Sequence, residues 1–278
     1  MVYELRSFTC GEHRLAYEIH GAGPQTVVLM HGLLLDAHVN RDLATALADA
    51  GFRVVLLDLL GHGRSDRPHE PTHHRFDLYA LQVIALLDEL KVRQAVIGGL
   101  SLGADVSLHV AAIAPNRVRA LFIEMPVMEW ATPAAALLFA PLLITVRRAK
   151  PLVRLWSGIW KRLPRPKHNV GISVMNLLSM SPEELGAVLH GILVGPVVPD
   201  LAARRAMTMP TLIIGHPGDF LHPFDDAAAL ARQLPNTQFL EAKSILELRT
   251  KPERLLPGIV KFFTDHGMQR RVVERAAR

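Results

Sequence analysis

Apolar and polar positions in this chain alternate between two periods, and the points where the period changes mark its elements. Short apolar, β-branched runs occur at Thr26–Met30, Phe52–Leu57, Gln94–Gly98, Val118–Glu124, Thr211–Ile214 and Thr237–Glu241. All six predict strands, and Thr26–Met30, short and apolar, suits one buried on both faces. Arg14–His20 predicts an earlier strand, closed by the turn Gly21–Pro24. Between these runs the spacing is helical: Asn40–Ala50 ending at Gly51, Phe76–Leu90, Ala104–Ala114, 224–234 and 253–265. Strand and helix in regular succession predict an α/β fold, a mostly parallel central β-sheet with helices on both faces.

Residues 126–207 break that rhythm. They hold Pro126, Pro133, Pro141, Pro151, Pro164 and Pro166 among Leu- and Ala-rich pieces with little strand character. This predicts a core of residues 1–125 and 208–278, interrupted by a helical lid of residues 126–207 over the carboxyl ends of the strands. No acidic residue lies between Glu129 and Glu183, whereas Arg147, Arg148, Lys150, Arg154, Lys161, Arg162, Arg165 and Lys167 do. The apolar run Ala134–Val146 beside this charge suits an acyl chain with an anionic group, or a membrane-surface substrate. The plainer account is a helix pair with a core-facing stripe and a solvated basic face.

Composition narrows the class. A chain of 278 residues, 50% hydrophobic and 21% charged, with mean hydropathy +0.21, can bury one large core. One cysteine, Cys10, excludes an intramolecular disulfide and fits a reducing compartment. With no signal-peptide pattern at Met1–Arg6, the expected location is cytoplasmic. No apolar run reaches the roughly 18 residues of a transmembrane helix. The formal charge of +5 is modest, and the basic run lacks stacking aromatics beyond Trp156 and Trp160, which argues against nucleic acid. His73–His74 has no spaced carboxylate or cysteine partner, so neither a metal nor another cofactor is expected.

The chemistry centres on Gly99-Leu-Ser-Leu-Gly103, a G-x-S-x-G pentapeptide between a strand-like and a helix-like run. A sharp turn there lifts Ser101 to an apex, and the N–H of Leu102 at the helix start is free to hold an oxyanion. Three more motifs end strands: Leu29-Met-His31-Gly32-Leu33, the glycine-rich Asp58–Ser65, and Thr211–Asp219, which closes on an acid. In this order the four motifs resemble the α/β-hydrolase family, in the spacing of its lid-bearing esterases and thioesterases, across residues 13–265. The resemblance implies Ser101 as nucleophile, Leu33 and Leu102 as oxyanion donors, and Asp219 as the acid that orients the base. A haloalkane dehalogenase is disfavoured, because those members carry aspartate at the Ser101 position.

The base does not carry over. The family places Gly-His after its last strand, where this chain reads Glu241–Glu253 with Ser244 or Ile245 at the histidine position. No histidine occurs between His222 and His266, and neither replacement accepts a proton at neutral pH. His222, three residues after Asp219, is the first candidate for that work and His216 the second. His222 equally suits the entrance of a helix at Pro223. Glu124 is a rival acid if Asp219 lies too near His222 to orient it; otherwise it pairs with a lid arginine. Asp105 fits a charge favouring its helix dipole. His31, His62 and His109 fit structural roles, and His38, His69, His73 and His74 fit surface loops. Two functions follow: a serine hydrolase of a small carboxylic ester, thioester or lactone with an atypical base, or a hydrolysis-deficient relative that binds or transforms a small molecule.

Overall fold

The computed structural model describes residues 3–267. Eight strands, β1 (Glu4–Cys10), β2 (His13–His20), β3 (Thr26–Met30), β4 (Arg53–Leu57), β5 (Ala95–Leu100), β6 (Val118–Glu124), β7 (Thr211–Gly215) and β8 (Thr237–Glu241), form one sheet. Their order is β1-β2-β4-β3-β5-β6-β7-β8. The β1–β2 and β2–β4 pairs are antiparallel and the remaining pairs parallel. The helices are α1 (Arg41–Asp49), α2 (Phe76–Glu89), α3 (Leu102–Ile113), α4 (Thr132–Arg148), α5 (Lys150–Trp160), α6 (Asn169–Leu178), α7 (Pro182–Val194), α8 (Leu201–Arg205), α9 (Phe224–Gln233), α10 (Glu247–Thr250) and α11 (Leu256–Gly267).

The two-residue period of the strands divides the core. Val28, Met30, Ile97 and Leu121 face α2, α3 and α9, whereas Val27, Leu29, Val54 and Phe122 face α1 and α11. The expected mostly parallel sheet with helices on both faces is therefore what the chain forms. β5 runs two residues past its expected end, because Gly98 and Gly99 stay in the ladder. A Cβ on Gly98 would meet the Phe122 carbonyl oxygen at 2.4 Å. The last helix starts at Leu256 rather than 253, after a 3-10 turn at Pro252–Arg254.

Five helices, α4 to α8, lie between β6 and β7, and buried carboxylates fix them to the core. Asp226, at the start of α9, accepts backbone N–H bonds from Met128 (2.9 Å), Trp130 (3.0 Å) and Ala131 (2.9 Å), satisfying donors just ahead of α4. Asp36, after β3, accepts from Asn176 Nδ2 on α6 at 2.6 Å. Asp105 Oδ1 accepts from Val127 N–H at 3.1 Å. Asp105 is fully buried, and burial pushes its carboxyl well above the usual range. Its carboxyl group therefore tethers the 126–131 loop through Val127, a contact not expected from its place on the helix. His74 also departs from expectation: it is fully buried, with Nε2 on the Pro68 carbonyl at 2.8 Å.

Glu18 on β2 holds the antiparallel edge to the rest. Fully buried, it accepts from Arg41 Nη2 at 2.6 Å and Arg64 Nη2 at 2.5 Å, and faces His20 Nε2 at 3.0 Å. Burial alone would raise its pKa; the His20 and Arg41 hydrogen bonds and the charge of Arg64 outweigh it and hold the carboxyl at about 2. Because this value is depressed, the stabilisation is present above the unfolded pKa of about 4.3 and is lost as pH falls towards about 2. Glu18→Ala leaves Arg41 without its anion and Arg64 with Asp58 alone, and is expected to cost roughly 3–5 kcal/mol at neutral pH. Urea titrations of both proteins should show the gap narrowing between about pH 4 and pH 2. A gap independent of pH would assign the loss to packing instead.

Candidate active site

Ser101 sits between β5 and α3 with φ 52° and ψ −112°, a strained conformation for a residue with a Cβ. Its surroundings enforce the turn. Gly99 and Gly103 pack against one another and against Met30: a Cβ on either would meet the Met30 carbonyl oxygen at 2.5 or 2.6 Å. The two glycines of the pentapeptide are thus a packing requirement of the crossing between β3, β5 and α3. The Ser101 N–H donates to the Glu124 carbonyl at 2.9 Å, and its carbonyl accepts from Asp105 N–H at 3.0 Å. Main chain on both sides holds the residue and leaves its hydroxyl free.

The loop after β7 brings the other two groups. His222 Nε2 lies 2.8 Å from Ser101 Oγ, and His222 Nδ1 lies 2.8 Å from Asp219 Oδ2. A separation of three residues is no obstacle, because Asp219 folds the loop around its own carboxylate. Oδ1 accepts from the N–H of Leu221 (2.9 Å) and of His222 (3.2 Å), while Oδ2 is left for the ring. The His222 hydrogen bond, foremost, depresses the Asp219 carboxyl to about 2, so it is ionised at neutral pH. An ionised carboxylate only accepts, so Nδ1 carries the proton and Nε2 presents its lone pair to the Ser101 hydroxyl. Helix α9 begins two residues later at Phe224, so His222 precedes a helix and also faces Ser101.

The remaining candidates lie elsewhere. His216 is buried, with Nδ1 2.9 Å from the Ser244 carbonyl oxygen and Nε2 3.5 Å from Glu124 Oε1. Glu124 pairs with Arg249 on α10, not with an arginine of the inserted helices and not with His222. Burial opposes its ionisation, but the Arg249 charge and His216 hold the carboxyl below the usual range. His31 Nε2 accepts from Leu59 N–H at 3.1 Å and Nδ1 donates to the Gly32 carbonyl at 2.8 Å, fixing the loop that carries Leu33. Among the described residues no group of three His, Cys, Asp or Glu side chains could hold a metal ion.

Ser101 and His222 open on a cavity of about 460 Å³, within the size range of small-molecule sites. Its walls are almost wholly apolar, from Leu35 and Leu100 on the sheet side to Phe139, Val174 and Ile192 on the inserted helices. Leu33 and Leu102 line it too, and among the described residues their backbone N–H groups have no protein acceptor. Ile245 and Leu246, after β8, close one side as apolar wall. The sequence did not point to Arg249 or Asp105 as cavity residues. Both are recognisable only once α10 and α3 are docked.

Residues 25–144 match the family described as alpha/beta hydrolase fold. A 2-hydroxy-6-oxononadienedioate/2-hydroxy-6-oxononatrienedioate hydrolase from Cupriavidus pinatubonensis is 28% identical over 249 residues, 82% of each chain. An epoxide hydrolase from Caballeronia sordidicola is 36% identical over 107 residues, 37% of this chain and 31% of its own. With that epoxide hydrolase and several other curated relatives, the chain spans only about a third of the relative's length. A thermophilic esterase from Thermogutta terrifontis superposes with a TM-score of 0.74 at 25% identity, covering 95% of this chain and all of the other.

Proposed function

We propose that this protein, which has the α/β-hydrolase fold, cleaves a carboxylic ester, thioester or lactone through an acyl-enzyme on Ser101, with His222 as the base. The observation that carries this reading is the 2.8 Å contact between His222 Nε2 and Ser101 Oγ, with Asp219 behind the ring at 2.8 Å. Ser101 Oγ attacks the carbonyl carbon as Nε2 takes its proton, and the imidazolium is stabilised by the ionised Asp219. The Leu33 and Leu102 N–H groups hold the oxyanion. On collapse, the leaving alkoxide or thiolate takes the proton from Nε2. A water molecule then gives a proton to Nε2 and attacks the acyl carbon, releasing the acid and restoring Ser101.

The relatives carry names for epoxide, dioate and ester hydrolysis, and the side chains around Ser101 favour the last. A serine with an imidazole nitrogen 2.8 Å from its hydroxyl and free backbone donors suits acyl transfer. The apolar walls suit a substrate whose acyl part is hydrocarbon, with residues 126–207 acting as its lid. A series of p-nitrophenyl esters of rising acyl length tests the reading: saturable turnover with an optimum above acetate is expected. Absence of turnover with esters, thioesters and lactones alike would leave the hydrolysis-deficient alternative.

A further inference from the structure

The inserted helix α5 is amphipathic with its apolar side outward. Leu152, Leu155, Trp156 and Ile159 follow i, i+3, i+4, i+7 spacing and make one stripe, while the buried residue of the helix is Ser157, on the opposite side. With Leu137 and Ile144 of α4, these side chains are 48–72% exposed. Cations bracket the stripe: Arg147, Arg148 and Lys150 at the α4–α5 junction, and Lys161, Arg162 and Lys167 beyond the end of α5. Between Glu129 and Glu183 there is no carboxylate to balance them. Of the eight basic residues in that interval only Arg154 reaches one among the described residues, Glu183 at 2.7 Å.

We propose that the outer face of α4 and α5 docks on an anionic lipid surface. An apolar helical stripe with tryptophan and flanking cations is the make-up of a helix that lies in the interface, its side chains among acyl chains and its cations at the headgroups. Charge selects the occupant. Self-association through this face would bring two uncompensated cationic sets together, whereas anionic headgroups neutralise them. No helix among the described residues is long and apolar enough to cross a membrane, so the contact is with the surface. The opposite face of α4 lines the cavity through Ala135 and Phe139, which would set the cavity roof against the bilayer. The docking is independent of the chemistry assigned to Ser101.

Co-sedimentation with vesicles tests it, using phosphatidylcholine alone and phosphatidylcholine mixed with phosphatidylglycerol. The protein should pellet with the mixed vesicles and not with the neutral ones, with a blue shift of tryptophan emission and weaker binding at high salt. The triple variant Leu152→Ser, Trp156→Ser, Ile159→Ser and the double variant Arg148→Glu, Lys150→Glu should each lower the partition by about tenfold or more. Unchanged circular dichroism and Tm, expected because these side chains are exposed, show that both variants remain folded. Failure to pellet with the mixed vesicles, or equal binding to both compositions, would overturn the proposal. So would a dimer that the triple variant dissolves while neither form binds vesicles.

Discussion

His222→Ala is expected to lower kcat/KM for a p-nitrophenyl ester by about 10⁴–10⁶-fold, with little change in Tm. The size of the effect follows from the Ser101 hydroxyl having His222 Nε2 as its proton acceptor at 2.8 Å. Stability should survive, because the ring packs in a loop and its removal leaves the Asp219 bonds to Leu221 and His222 N–H intact. Asp219→Asn should lose about 10⁴-fold. An amide there can still accept from the two backbone N–H groups, but it turns NH₂ towards Nδ1. That favours the tautomer with its proton on Nε2, pointing at Ser101, where it cannot accept. Steady-state kinetics of the two variants check this. Activity kept in His222→Ala and lost in His216→Ala would move the base to the other histidine.

Ser101→Ala should reduce turnover to the level the oxyanion donors support alone, a loss on the order of 10⁶-fold. The fold should be retained, since the strained turn is imposed by Gly99, Gly103 and Met30 rather than by the hydroxyl. Combining Ser101→Ala with His222→Ala should add little, because nucleophile and base act as one unit. Rates that multiply in the double variant would mean that the two side chains serve separate steps.

Most of the sheet was legible in the sequence because its central strands are apolar runs, though the polar, mostly exposed β1 shows no such run. The inserted helices were legible because prolines recur through a Leu- and Ala-rich stretch. The Gly99–Gly103 turn was legible for a similar local reason. What was not legible depends on contacts across the chain. The proximity of Asp219 to His222 in sequence looked like an obstacle, and only the folding of the loop around Asp219 Oδ1 removes it. The partner of Glu124 is Arg249, 125 residues away, and no local pattern announces it. The outward stripe on α5 was not singled out in the sequence, because such spacing reads the same whether it faces a core or solvent. The place of Asp105 in the first turn of α3 is visible in sequence, and its complete burial against the 126–131 loop is not.

The claim that Ser101 is a nucleophile activated by His222 and Asp219 is tested most directly by intact-protein mass spectrometry after treatment with a fluorophosphonate at neutral pH. One adduct is expected, mapped by peptide digestion to Ser101, absent from Ser101→Ala and slowed by orders of magnitude in His222→Ala. An unmodified protein, or an adduct that persists in Ser101→Ala, would contradict it.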